Sequence, residues 1–427
     1  MNASIIFLIL LGLMLTGMPI SISLGLTVLS FLFLFTQVPL ESVALKLFTG
    51  IEKFEIMAIP FFILAGNFLT HGGVAKRMIR FASSMVGHWH GGLGLSGVVA
   101  CALFAAISGS SPATVVAIGS ILLPAMVKAG FPNKFGAGVI TTSGALGILI
   151  PPSIVMVMYS VATNTSVGAL FMAGVVPGIG LAMVLGGVTY YRARKFDYPR
   201  LPKATFAGRL KAFKESAWGL LLIIIVMGGI YSGMFTPTEA AAMSAVYAFF
   251  VAVFVYKDLG MKDVPRVLLN SANMSAMLLY IITNAVLFSF IMTNENIPQA
   301  LADWMLSHGL GMITFLLACN IILLLAGNFM EPSSIVLIFA PILFPVAIKL
   351  GIDPVHFGII MVVNMEVGMC HPPVGLNLYV ASGITKMGIT ELTVAVWPWL
   401  LSMLGFLVLV TYWPGLSIWF PKYLGMM

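Results

Sequence analysis

Residues 107–120 read ISGSSPATVVAIGS, a Ser-Gly-Ser-Ser-Pro cluster set between GLGLSGVVACALFAA (92–106) and ILLPAMVKAG (121–130). Proline removes an amide donor and halts a helix, and glycine admits backbone angles closed to other residues. Flanked by runs this apolar, the cluster predicts the tip of a re-entrant helical hairpin lying in hydrocarbon. Every backbone N–H and C=O there needs a partner, and an ion can be one.

The rest of the chain supports that setting. Of 427 residues, 60% are hydrophobic and 8% charged, and mean hydropathy is +1.07. Such a chain has too few polar residues to cover a water-soluble globule. Apolar stretches of helical length recur from end to end with no strand-like alternation, so the expected fold is an all-α integral membrane protein rather than a barrel. MNASIIFLILLGLMLTGMP lacks a basic leader and reads as a first spanning helix. Cys101, Cys319 and Cys370 lack metal-ligand spacing and read as small buried hydrophobes. The net charge of +7 is topological, since inner-membrane proteins gather Lys and Arg in cytoplasmic loops; no nucleic-acid partner is implied.

YYRARKFDYPRLPKATFAGRLKAFKES (190–216) carries eight of the 21 basic residues and divides two apolar halves. The first half holds SSPATVVAIGSILLPAMVKAGFPNKFG and GILIPPS; the second holds MEPSSIVLIFAPILFPVAIKLGIDPVHFG and GMCHPPVG. Pro124 to Pro152 spans 28 positions, as does Pro345 to Pro373. Chance likeness between apolar helices shares Leu and Val, not prolines, so the chain carries an internal repeat. If spans alternate and residues 92–128 enter and leave on one side, 17 of the 21 basic residues fall on the cytoplasmic side. Only Lys46, Lys53, Lys349 and Lys422 fall outside. That split predicts inverted repeats, the first hairpin opening to the cytoplasm and the second outward. The expected parts are 1–88 (scaffold helices and arm), 89–190 (transport half with the first hairpin and broken helix) and a 191–214 cytoplasmic linker. Then come 215–307 (scaffold and arm), 308–392 (the second transport half) and 393–427 (a C-terminal helix).

Each half has two polar breaks, 108–112 with 147–153 and 327–332 with 368–375. Carbonyls freed at half-helix C-terminal ends suit a small hard cation, and half-helix N-termini suit an anion. Two symmetry-related sodium sites flanking a carboxylate-binding cavity are therefore expected. The candidates are Ser108, Ser110, Ser111, Gly144, Gly147 and Ile150 for the first sodium, and Gly327, Asn328, Glu331, Gly368, His371 and Val374 for the second. Ser110, Ser111, Pro112, Ser153, Met330, Glu331, Pro332, Pro373 and Asn377 are expected to face substrate. Glu331 and Glu366 are the acids deepest in apolar sequence, and intramembrane acids are functional suspects, with a structural, hydrogen-bonded role as the alternative.

Other signals carry less. Gly92-Leu93-Gly94-Leu95-Ser96-Gly97 fits G-x-G-x-x-G without a strand before it, so helix packing explains it better than a nucleotide. His88, Trp89 and His90 cannot share one helix face, and an interfacial aromatic-polar belt accounts for them better than a metal. The 28 methionines read as adaptable packing at sliding surfaces. There is no Walker motif and no Ser-His-Asp grouping, so transport energy must come from an ion gradient.

IPFFILAGNFL (59–69), GHWHGGLG (87–94), FAAISGSSPATVVAIGSILLPAMVKAGFP (104–132), GILIPPSIVMVMYS (147–160) and FMAGVVPG (171–178) resemble the large membrane subunit of a tripartite ATP-independent periplasmic (TRAP) transporter. GGIYSGMFTPTEAAA (228–242), LGIDPVHFGIIMVVN (350–364) and PPVGLNLYVASGITKMGI (372–389) extend the likeness over the whole chain. The resemblance implies a sodium-driven secondary importer of the elevator type in a bacterial inner membrane, not an enzyme, using two or more Na+ ions. It also implies a small membrane subunit, a periplasmic solute-binding protein, surrounding lipid and an organic-acid substrate such as a C4-dicarboxylate or sialic acid. His371 stands where the family usually has Thr, and Glu366 is uncommon there. An imidazole is a poor sodium ligand, so the 371 carbonyl is the better candidate. A channel of similar architecture and a proton-coupled carrier using Glu366 or His371 are the competing readings.

Overall fold

A computed structural model describes residues 2–36, 38–309, 311–373 and 375–427. Among them the chain forms α-helices and no strand. The first half comprises α1 (Asn2–Leu15), α2 (Ile20–Phe35), α3 (Leu40–Ile51), α4 (Ala58–His71), α5 (Val74–Val86), α6 (Gly92–Ser108), α7 (Ser111–Lys128), α8 (Asn133–Gly144), α9 (Ile154–Thr163) and α10 (Val167–Lys195). The second comprises α11 (Phe206–Tyr231), α12 (Pro237–Phe250), α13 (Val264–Asn294), α14 (Ile297–Ser307), α15 (Met312–Gly327), α16 (Pro332–Lys349), α17 (Pro354–Cys370), α18 (Leu376–Thr385), α19 (Ile389–Tyr412) and a terminal α20 (Gly415–Tyr423).

The element order repeats. Two helices come first, then an arm, a helical hairpin (α6–α7, α15–α16), an interrupted helix (α8–α9, α17–α18) and a long closing helix (α10, α19). The arms differ: α13 runs 31 residues unbroken, whereas its counterpart is α3, a 3-10 turn at Phe54–Met57 and α4. The amphipathic α3 has no forerunner in the sequence reading. Among the described residues eight helices are long and apolar enough to cross a membrane: Phe54–His71, Ser111–Lys128, Val167–Lys195, Phe206–Tyr231, Pro237–Val255, Val264–Asn294, Pro332–Lys349 and Ile389–Tyr412.

Local chemistry sets the helix starts. Thr236 and Glu239 form a reciprocal capping box on α12, and Asp353 accepts from the Val355 and His356 amides to start α17; each such cap supplies orphan amides with partners. The stretch between the halves is less of a linker than its charge suggests. Arg192, Arg194 and Lys195 sit in the last turn of α10, where cations favour the helix dipole, and Thr205 caps α11. Only residues 196–205 lie outside helices.

The halves interlock rather than abut. Each post-break helix packs into the opposite half: α9 against the hairpin helix α16, and α18 against α7 and α8. At ten residues, α9 and α18 are each about 15 Å long, half the hydrocarbon thickness. Each is too short to cross the hydrocarbon alone. A buried chain of amides ties the second half together, from Asn364 Nδ2 to Asn320 Oδ1 (2.7 Å) and from Asn320 Nδ2 to Thr411 Oγ1 (3.0 Å).

Candidate functional site

The first hairpin tip docks on the first break. Gly109 takes a left-handed φ of +58° to end α6, and Ser110 is extended ahead of α7. A Cβ at Gly147 would lie 2.6 Å from the Ser110 carbonyl oxygen and 2.7 Å from Ser111 Cα, so backbone meets backbone where only glycine fits. Ser111 Oγ donates to the Gly144 carbonyl (3.0 Å) and accepts from Asn377 Nδ2 (2.7 Å). Asn377 also reaches the Thr141 carbonyl at 3.4 Å. Ser108 Oγ lies 2.9 Å from Thr114 Oγ1. Four expected first-site residues, Ser110, Ser111, Gly144 and Gly147, are thus brought together, joined by Asn377 from the other half. Ser143 Oγ, beside Gly144, is buried without a partner among the described residues. Hydroxyls and backbone carbonyls are the hard oxygen donors an alkali cation takes, so the donor set fits the ion.

The second site shares the plan with different parts. Gly327 of the hairpin and Gly368 of the break face each other, and a Cβ on either would come within 2.9 Å of the other's Cα. His371 Nδ1 lies 2.9 Å from Asn328 Oδ1, a pairing that places the ring proton on Nδ1. A Cβ at Gly375 would meet the Met369 and His371 carbonyl oxygens at 2.5 and 2.8 Å, so carbonyls converge on a spot that glycine leaves open. That set also fits a hard cation through the main chain. Val374, expected here, lies outside the described residues. The Pro151-Pro152 and Pro372-Pro373 bonds are both cis.

Glu331 is held by Ser334, whose Oγ is 3.2 Å from Oε1. Glu366 is fully buried and faces Leu149 of the first break. Neither of its carboxyl oxygens makes a hydrogen bond of ordinary geometry among the described residues.

A cavity of about 400 Å³ lies between the two tips. Four helix N-termini open onto it: Ser111 of α7, Ile154 of α9, Pro332 of α16 and Leu376 of α18. Among the described residues no Lys or Arg lines it. Partial positive charge from those N-termini is therefore the chain's own means of holding an anion here. Of the residues expected to face substrate, Ser110, Ser111, Pro112, Glu331 and Pro332 line this space. Ser153 instead caps α9, accepting from the Met156 amide at 3.3 Å, and Asn377 is turned to Ser111. The reading from sequence missed the opposite wall, formed by Asn67 and Thr70 of α4 and Met274 and Met277 of α13. Asn67 Nδ2 donates to Ser271 Oγ at 2.8 Å. A polar Asn within IPFFILAGNFL was the available signal.

A bundle of membrane-length apolar helices around a cavity onto which four helix N-termini open has the architecture of a membrane permease. The family model described as "Tripartite ATP-independent periplasmic transporter, DctM component" matches residues 7–416, and the chain belongs to that family. It is a multi-pass inner-membrane transport protein, not an enzyme. It is 76% identical to the C4-dicarboxylate TRAP transporter large permease protein DctM of Rhodobacter capsulatus, over 100% of both chains. It is 37% identical to the sialic acid TRAP transporter large permease protein SiaM of Vibrio cholerae, over 96% of each. Among solved structures, the Alcanivorax borkumensis YdaH transporter superposes with a TM-score of 0.64 at 16% identity, covering 91% of this chain and 89% of that one. At that identity the likeness is one of fold.

Proposed function

We propose that the chain is the large permease of a sodium-driven TRAP system that imports a C4-dicarboxylate. In this reading a periplasmic binding protein delivers the solute and a small membrane subunit supports the scaffold. The convergence of four helix N-termini on a cavity without a basic side chain carries the proposal. A dianion there needs more positive charge than helix ends supply, and cations seated at the two flanking breaks would provide it. The 76% identity to a protein named for C4-dicarboxylates favours that substrate over sialic acid.

The two hairpins are re-entrant and the repeats inverted, a topology that the distribution of basic residues supports. The hairpins, the broken helices, α10 and α19 form a transport body that slides against a scaffold of α1–α4 and α11–α13. Sodium seats lie at Ser110, Ser111, Gly144 and Gly147, and at Gly327, Gly368 and the 371 carbonyl. The test is uptake of labelled succinate by vesicles holding the permease, its small subunit and loaded binding protein. An inward sodium gradient should drive uptake, and replacing sodium by choline should abolish it. Uptake that persists in choline but follows a proton gradient would establish the proton-coupled carrier instead.

A further inference from the structure

The HWH belt at residues 88–90 has no part in the cavity, yet it stands at the mouth of a second space. Between α6 and α10 runs an apolar cleft of about 520 Å³. On α10 its wall is made by Ile179, Met183, Gly186, Gly187 and Tyr190, recurring every three to four residues as one helix face and covering about 16 Å along the axis. Ile150 of the first break also lines it. A Cβ at Gly187 would meet nothing within 4 Å, and Met183 is 67% exposed.

Trp89 and Tyr190 line the cleft, and the basic last turn of α10 follows Tyr190. Trp89 Nε1 donates to His88 Nε2 (3.1 Å), which places the His88 proton on Nδ1. That N–H is buried without an acceptor among the described residues. The rings of Trp89 and His90 meet Tyr190 edge-on at 6.3 and 6.0 Å. One turn beyond Tyr190 on the same face is Arg194, exposed. From residue 56 to residue 196 the sequence contains no Asp or Glu, and Asp197 is the first acid beside Arg192, Arg194 and Lys195. An apolar trough beside an aromatic pair, with exposed Arg194 one turn further along the same helix face, matches one chemistry.

We propose that this cleft is a binding site for an anionic phospholipid, one acyl chain lying along α10 and the phosphate meeting Arg194. The bound chain packs against Ile150, which places lipid beside the first break. The charge distribution puts the mouth on the cytoplasmic side, where anionic headgroups attract basic segments.

The test is native mass spectrometry of the full chain after exchange against vesicles of phosphatidylglycerol or of phosphatidylcholine. Wild type should retain phosphatidylglycerol in preference. Arg194→Gln should lower that retention about fivefold, the scale of one cation at an anionic surface, without changing phosphatidylcholine. Gly187→Phe, whose ring has open space to enter, should displace both. A photo-crosslinker at Met183→Cys reports the occupant independently of purification and should label lipid. Equal retention of the two lipids by wild type, full retention by Gly187→Phe, or labelling of a protein chain at position 183 would each overturn the proposal.

Discussion

At the first break a serine hydroxyl, an asparagine amide and two main-chain carbonyls meet across the halves of the protein. At the second, two glycines press backbone against backbone while an imidazole is tied up by a neighbouring amide. The first site is cross-braced: Ser111 comes from one repeat and Asn377 from the other. The second is local, since Gly327, Asn328, Gly368 and His371 all belong to the same repeat. One duplicated backbone plan therefore supports two unequal sites. Side chains supply much of the first, and the main chain supplies the second.

The largest effect should come from Gly147→Val. Its Cβ is opposed by the main chain of residues 110 and 111, which cannot give as a flexible side chain would. Overpacking of this kind costs about 1–3 kcal/mol, so sodium-driven uptake, normalised to protein in the membrane, should fall by about one to two orders of magnitude. Unchanged uptake would mean that the tip does not need its seat on the break. Asn377→Ala should act next. It removes a buried hydrogen bond that crosses the repeats, worth about 1 kcal/mol, and should raise the half-saturating sodium concentration of uptake about fivefold. If His371→Ala proved equally damaging, the cross-braced and local sites would not differ as described. His371→Ala should be the mildest, within about threefold of wild-type sodium dependence, because the 371 carbonyl persists in any variant. A large loss there would make the imidazole itself a participant, as in the proton-coupled reading.

Paired prolines and glycines made both breaks legible in the sequence, because such residues change what the backbone can do wherever they sit. Gly147 and Gly368, assigned to sites from sequence, are points where backbone packs directly on backbone. The sequence was silent on the arm helix α3, whose pattern is ordinary. It overstated the linker, because basic residues that look like loop also suit a helix C-terminus. Ser153 was read as facing substrate from its place beside the proline pair, but its hydroxyl caps α9. Asn67, Met274 and Met277 could not be found by inspecting breaks, since they lie on unbroken helices that become a wall only when the halves pack.

Hydropathy and the spacing of helix breakers determined by themselves that this chain is a helical, internally duplicated membrane protein with interrupted helices, because these are local demands of backbone hydrogen bonding. Only the tertiary structure decided that α9 and α18 cross into the opposite half, that four N-termini share one cavity, and that Asn377 reaches Ser111 over 266 positions of chain. Those outcomes depend on how apolar faces of similar composition choose one another, and that choice is made by the fit of surfaces in three dimensions rather than by any periodicity along the chain.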